Sequence, residues 1–328
     1  MANKKPKVVA KAIDAGKTNK TKDSVIKCEV KLNMGEWVTP ESCQIFYIDE
    51  DAKFPEIIFE IKTDEAGPYV WEWSISWTAE ACPQAEGKKR FKAKHSTAFS
   101  KKGSFKSDKN KWQCNIEAVI GGDLVVKVSA GETNFVRKVT ILGKNPSKEN
   151  ILIEVDSGKT KEDNELVKKI FMQESRYRQF YSDNQPLTSF DNGYGLGQLT
   201  NPAPTYEQIW SWKAHIAEIL KNRLPNHRKR AKKYLDEHGD YTSEMLDMET
   251  LACYNGWSGG QHYWNWASTT KKWEVNTDVI CDPNQSNKGW ISSQKDNNKS
   301  LEELKNDSKA KPVYTGRCYA EHIKNTQH

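Results

Sequence analysis

Leu166-Val167-Lys168-Lys169-Ile170-Phe171-Met172-Gln173-Glu174-Ser175-Arg176-Tyr177 is the stretch on which the reading of this chain turns. Counted back from Glu174 in helical steps, Ile170 and Phe171, then Val167 and Leu166, fall on one face, so the carboxylate lies on the stripe that meets the core. Carboxylates are rare there. Burial disfavours the ionised form and raises the pKa, which suits a general acid that must hold a proton near neutral pH. The structural alternative is an amphipathic helix whose last turn simply reaches solvent.

Two further segments bear on that choice. In Asp191-Asn192-Gly193-Tyr194-Gly195-Leu196-Gly197-Gln198-Leu199-Thr200, glycines at alternate positions permit tight backbone conformations, while Tyr194 and Gln198 supply polar tips. Such a strip can press against a ligand or form an ordinary loop. In Leu251-Ala252-Cys253-Tyr254-Asn255-Gly256-Trp257, the pattern is a helix end, with Gly256 in the left-handed cap and Tyr254 and Asn255 on the last turn.

Taken in order, Glu174-Ser175, Gly193 to Leu199 and Ala252 to Gly256 resemble the motifs of the soluble lytic transglycosylases and goose-type lysozymes, glycosidases that cut the glycan strands of peptidoglycan. The resemblance spans residues 160 to 325. It implies that Glu174 is the catalytic acid/base, that Ser175, Tyr194 and Gln198 position the sugar or the acid, and that Tyr254 and Asn255 contact the glycan. A late tyrosine belongs to the pattern, with Tyr319 the candidate and Tyr314 the fallback. Where the family turn commonly has a methionine before the glutamine, this chain has Gly197. Thr200 stands where goose-type lysozymes place an aspartate, and Asp191 is offset from their other acidic position.

Glycosidases usually pair two carboxylates, and only one stands out here. Lytic transglycosylases manage with one, because the substrate's own hydroxyl attacks the anomeric carbon and leaves a 1,6-anhydro sugar. Asp191 or Asp183 positioning a water would give plain hydrolysis, a muramidase. A non-catalytic peptidoglycan-binding structural protein on the same scaffold is the alternative outside the enzymes. No cofactor or metal is needed for any of these.

The chain has 328 residues, 29% of them charged, a net charge of +6, and no apolar run long enough to cross a bilayer. It opens Met1-Ala2-Asn3-Lys4-Lys5-Pro6-Lys7 without the apolar segment of a secretory signal peptide. A wall-cutting enzyme made in the cytoplasm in this way reaches its substrate by lysis or by injection. This points to a phage lysin or to an antibacterial effector of a type VI secretion system, acting in the periplasm or at the wall of a target cell. The effector reading implies an immunity protein and a component of the secretion apparatus as partners, beside the glycan strand.

The expected fold class is α+β: an N-terminal all-β immunoglobulin-like sandwich followed by a C-terminal, mainly α-helical, lysozyme-like domain. Residues 1–22 read as a flexible basic start, 23–148 as a β-sandwich for delivery or binding, and 149–328 as the catalytic domain. Strand-like alternation or β-branched enrichment marks Ser24 to Leu32, Cys43 to Ile48, Ile57 to Lys62, Tyr69 to Trp77, Trp112 to Ile120, Leu124 to Ala130 and Asn134 to Leu142. An irregular insertion is expected from Ala79 to Lys111. Tyr69, Trp71, Trp73 and Trp77 form an alternating ladder that is either sandwich core or a sugar-binding face, with Glu72 and Ser74 toward water. The join falls at Gly143 to Lys148, and residues 151 to 160 read as a short strand or an extended lead-in.

In the second half, Asp163 or Asn164 is the expected cap before Leu166, and Ser243 or Thr242 caps the helix leading to Tyr254. A helix from Thr205 to Leu224 would end before Pro225. The basic run His227 to Tyr234 has no phosphate cradle or zinc-finger spacing beside it, so it reads as a solvated helix face and not a nucleic-acid site. Asp282 to Lys309 reads as a loop over the cleft. Among the seven cysteines, Cys28, Cys43, Cys82 and Cys114 are candidates to pair in the β-region, and two of Cys253, Cys281 and Cys318 in the helical one. The competing use of Cys281 and Cys318, with His262 and His322, is zinc.

Overall fold

Alternation in the first half becomes two facing sheets in the computed structural model, which describes residues 35–80, 96–189, 191–257, 261–291 and 299–326. The strands are β1 (Glu36–Thr39), β2 (Ile45–Ile48), β3 (Ile58–Lys62), β4 (Tyr69–Ala79), β5 (Thr97–Ser107), β6 (Lys111–Gln113), β7 (Gly122–Ala130) and β8 (Thr133–Gly143). One sheet has the order β1-β3-β6 and the other β2-β8-β7-β4-β5, with β2 parallel to β8. Trp37 and Trp112 on the smaller sheet meet Trp71 and Phe105 on the larger, with ring centroids 5.2 to 6.4 Å apart. Large rings on facing strands close the space between sheets, and their burial supplies most of the drive for packing. Tyr69, Trp71 and Ile75 are buried while Glu72 and Ser74 are exposed. The ladder is therefore core along that part of β4.

Several expectations need correction here. The supposed irregular insertion contains β5, which pairs with β4 residue for residue from Tyr69↔Ser107 to Ala79↔Thr97. Its Ser and Lys residues face solvent, and only Phe99 and Phe105 pack inward, so its alternation is muted, as on many edge strands. The strand expected from Trp112 to Ile120 stops at Gln113. Beyond it Cys114, Ile116 and Ile120 are buried in irregular chain. The expected strand Ser24 to Leu32, the basic start, Cys28 and Cys82 lie outside the described residues.

The second half is helical with more strand than expected. It holds α1 (Lys148–Asp156), α2 (Lys161–Ser175), α3 (Tyr206–Trp210), α4 (Trp212–Glu218), a π-helical turn (Ile219–Arg223), α5 (Leu224–Leu235) and α6 (Ser243–Tyr254). A hairpin of β9 (Trp264–Ala267) and β10 (Lys272–Val275) follows. A three-stranded sheet of β11 (Val279–Cys281), β12 (Lys288–Ile291) and β13 (Pro312–Tyr314) then carries α7 (Leu301–Asn306) and leads into α8 (Gly316–Asn325). Within Asp282 to Lys309, β12 and α7 stand where a loop was expected. The lead-in at 151–160 is α1 for most of its length, because Ile151 and Val155 bury one helical turn apart and Ser147 caps the start. Thr160, not Asp163 or Asn164, precedes α2, and Asp163 instead takes Arg228 at 2.6 Å. Thr242 does cap α6. The single helix expected from Thr205 to Leu224 is broken at Ser211, whose backbone is extended, and the later part runs on past Leu224, because the π-helical turn lets the Leu224 N–H reach back to the Ile219 carbonyl ahead of Pro225.

A shared core joins the halves. Phe180, Tyr194, Ile209 and Trp210 belong to the same buried cluster as the β-region core. Trp77 touches Trp210 and Tyr194 at 5.5 and 6.3 Å, and its Nε1 donates to Gln185 at 2.9 Å. In the join, the Asn145 carboxamide oxygen accepts the N–H groups of Gln179 and Phe180 at 2.8 and 2.9 Å. The short polar stretch is a clamp, not a loose tether. No helix among the described residues is long and apolar enough to cross a membrane.

Candidate functional site

Helix α2 delivers Glu174 through its own core face. Leu166, Val167, Ile170 and Phe171 are buried, and the helix stops directly after Ser175 because Arg176 and Tyr177 both adopt left-handed backbone, φ 54° and 60°. This abrupt end leaves Glu174 on the last turn, half-buried as a residue but with its carboxyl enclosed. Burial, the largest effect, raises its pKa to about 7; the Tyr319 phenol pulls the other way, and the Asp191 charge adds to the rise.

Two phenols from separate helices converge on this carboxyl. Tyr319, on α8, is 1% exposed, and its hydroxyl makes no hydrogen bond of ordinary geometry among the described residues. Burial holds the phenol protonated, and the charge of Glu174 adds to that effect. Tyr254, at the end of α6, is likewise pushed up by burial and by Glu174. Its hydroxyl donates to the Gly197 carbonyl at 2.6 Å. The ends of α6 and α8 lie close because Gly316 has no side chain, a Cβ there falling 1.9 Å from the Ala252 carbonyl oxygen. The Cys281–Cys318 disulfide holds α8 to β11 one residue before Tyr319.

The glycine-rich turn lies against Tyr254 and Phe171, and it is held from three directions. The Leu196 N–H donates to Gln179 Oε1 at 3.1 Å, the Gly197 N–H to His215 Nε2 at 3.1 Å, and Tyr254 secures the Gly197 carbonyl. His215 is fully buried and its pKa falls to about 4, mainly through that burial. Its Nδ1 lies 2.9 Å from the Gln208 carbonyl, so the neutral ring donates there and accepts from Gly197. A Cβ at Gly197 would sit 2.5 Å from Ile219 Cδ1 and 2.8 Å from the Tyr254 hydroxyl. A side chain at Gly197 would have to displace Ile219 and Tyr254.

The remaining candidate residues divide. Asp191 is exposed and accepts from the Ser189 hydroxyl, yet its charge reaches Glu174; Asp183 is exposed and caps the Gln185 N–H at 3.1 Å. Asn255 is half-buried beside Tyr254, 3.4 Å from Asn287 Nδ2. Gln198 has φ 49° and turns its carboxamide back to the Gly195 carbonyl at 2.8 Å. Two candidates are engaged within the fold. Tyr194 is 2% exposed and packs its ring on Trp77 and Phe99, so it anchors the turn to the β-region. Ser175 is buried and uses its hydroxyl on the Phe171 carbonyl and the Arg178 N–H, closing the helix that carries the acid. Tyr314, the fallback, is 60% exposed on β13.

Gln179 and His215 were not evident as site residues. His215 continues the apolar series Trp212, Ile216 and Ile219 on α4 and the π-helical turn, and a titratable group on a buried stripe was the available signal. Gln179 gave none, since it lies in irregular chain. The disulfide removes both thiols of the zinc alternative, and no group of three or more His, Cys, Asp or Glu able to hold a metal occurs among the described residues. Cys114 and Cys253 are free and buried, which corrects the expected pairing of Cys114. The basic run lies on α5, where Arg228 pairs with Asp163 and Asp247 and Lys232 with Asp236. Comparison with protein-family models, curated proteins and solved structures finds nothing that matches this chain.

Proposed function

We propose that this protein cleaves peptidoglycan glycan strands at the β-1,4 bond between N-acetylmuramic acid and N-acetylglucosamine, with Glu174 as its single acid/base. The observation that carries this reading is the enclosed Glu174 carboxyl, raised to about 7 mainly by burial, acted on by the Tyr319 phenol, and within electrostatic reach of Tyr254, whose hydroxyl holds the Gly197 carbonyl at 2.6 Å. Protonated Glu174 gives its proton to the bridging oxygen as the glycosidic bond breaks. The resulting carboxylate then takes the proton of the attacking hydroxyl, so one residue serves both steps. If the attacker is the sugar's own hydroxyl, the product is a 1,6-anhydro terminus; if it is water, a reducing one. Asp191 favours the second course enough to keep it, because its charge already reaches Glu174.

The β-region's order, β1-β3-β6 against β2-β8-β7-β4-β5, supports an immunoglobulin-like reading, and the helical half a lysozyme-like one. An antibacterial effector or a phage lysin acting at the cell wall fits this activity, with an immunity protein as the effector's partner. The test is digestion of purified sacculi by the full chain and by Glu174→Gln, with mass spectrometry of the released fragments. A loss of about 100- to 10,000-fold in Glu174→Gln is expected. Lysis retained by that variant rejects the assignment, and sacculus binding without any released fragment by the parent chain favours a non-catalytic binding protein.

A further inference from the structure

Gly197 is gripped at both of its backbone polar groups by side chains from different helices. Its N–H donates to His215 Nε2 on α4 at 3.1 Å, and its carbonyl accepts the Tyr254 hydroxyl from α6 at 2.6 Å. His215 is itself held, its Nδ1 lying 2.9 Å from the Gln208 carbonyl. A continuous line of hydrogen bonds therefore runs from Gln208 through His215 and Gly197 to Tyr254. Beside Tyr254, the atoms closest to where a Gly197 side chain would stand are Ile219 Cδ1 and Phe171 Cε1, apolar groups that cannot pair the N–H. The charged groups that act on the imidazole, Glu218 and Arg223, pair with each other at 2.7 Å and have opposite effects on it.

A phenol has one proton to donate. Tyr254 gives its proton to Gly197 although the charge of Glu174 reaches it. The two phenols therefore treat the acid differently. Tyr319 from α8 acts on Glu174 as a hydrogen-bonding phenol that lowers its pKa, and Asp191 acts as a charge that raises it, whereas the Tyr254 proton is engaged elsewhere. On its other side Tyr254 meets the charge of Arg223 and the ring of His227 at 5.3 Å, an imidazole whose pKa burial depresses to about 4.

We propose that His215 is a positioning residue for the proton donor: by fixing Gly197 it keeps the Tyr254 hydroxyl on the Gly197 carbonyl and off the Glu174 carboxylate. This rests on the reading of Glu174 as acid/base and adds the device that guards its proton. Without the imidazole, the Gly197 N–H loses its partner and the turn slackens, so the carbonyl no longer holds the phenol. A hydrogen bond to a carboxylate is roughly twice as strong as one to a neutral carbonyl, and the freed hydroxyl turns to Glu174. Hydrogen bonding to the charged form favours that form. Glu174 then gives up its proton at lower pH and is spent as an acid sooner.

The test follows the Glu174 carboxyl directly, by carbon NMR titration of the full chain with labelled glutamate, its signal assigned from the loss seen in Glu174→Gln. His215→Leu, an apolar change on an apolar stripe, is expected to lower the midpoint by about one pH unit, a tenfold change in proton affinity. His215→Gln, whose carboxamide can donate to Gln208 and accept from Gly197, is expected to restore it. Tyr254→Phe added to His215→Leu is expected to abolish the drop, because that phenol is its cause. An unchanged midpoint in His215→Leu overturns the inference, and so does a drop that persists in the double variant, which marks entry of water. If His215→Leu does not fold, Tyr254→Phe alone decides: the parent midpoint is expected, and a rise of about one unit, as for a phenol already bonded to the carboxylate, overturns the proposal. In sacculus digestion, His215→Leu should lower kcat near neutral pH with KM little changed. The titration needs no turnover, so sacculi left uncut by the parent chain would reject the proposed activity while the midpoints still judge this arrangement.

Discussion

Replacing Tyr319 by Phe tests the site more sharply than removing the acid, because it fixes the sign of a pH shift. The phenol acts on the ionised form of Glu174 and lowers its pKa, against a burial effect that raises it to about 7. Activity that needs protonated Glu174 must fall as pH rises through that value, so the alkaline limb of the profile lies near 7. A hydrogen bond to an ionised group is worth about 1.5 to 3 kcal/mol. At about 1.4 kcal/mol per unit, the lower end is about one unit, and the lower end applies because the contact is not of ordinary hydrogen-bond geometry. Tyr319→Phe should therefore move the alkaline limb up by about one unit, to near 8. Asp191→Asn removes a charge that raises the Glu174 pKa, so it should move the limb down, by a smaller amount because Asp191 is exposed and screened. The assay is the initial rate of sacculus turbidity loss from pH 5 to 9, with thermal melts confirming that each variant is folded. A downward or absent shift in Tyr319→Phe, with activity remaining, refutes the arrangement.

Three further outcomes follow from the scaffold. His215 has a folded pKa of about 4 against about 6.5 unfolded, so the unfolded chain binds the extra proton between those values; stability should be fully present above pH 6.5 and decline by up to about 3 kcal/mol as pH falls to 4. Replacing His215 by Gln should flatten that decline in urea melts, and an unchanged pH dependence would count against the buried neutral ring. Trp77→Ala, at the junction of the halves, should cost about 3 kcal/mol, the low end for a Trp deletion because the ring is half-buried, and should do so within one cooperative urea transition. Two separated transitions in the parent chain would contradict the shared core. Cys281→Ser with Cys318→Ser should lower stability by up to about 4 kcal/mol for a disulfide that spans a separation of 37 residues, and should slow turnover by loosening Tyr319. Unaltered melting would show the bond to be dispensable.

Much of the site was legible because its determinants are local. Four apolar residues at helical spacing put Glu174 on the inner face of α2, and Thr242 and Gly256 bracket the helix that ends at Tyr254. The strands of the β-region show through their alternation wherever one face is buried, as in β4 and β7. Where both faces were polar or half-buried the signal faded, which is why β5 was missed. Ile151 and Val155 misled in the other direction, since β-branched residues favour strands until a partner helix buries them.

Sequence alone placed Glu174 on the inner face of its helix and marked the alternating strands and the candidate tyrosines, because spacing along one element fixes which side chains share a face. Tertiary structure alone decided that Tyr194 belongs to the joint with the β-region, that Ser175 closes its own helix, that Gln179 and His215 brace the glycine turn, and that Tyr319 and not Tyr314 meets Glu174. Each of these depends on groups far apart in the chain meeting in one enclosed place, where desolvation and hydrogen-bond partners, and not residue type, set what a side chain does.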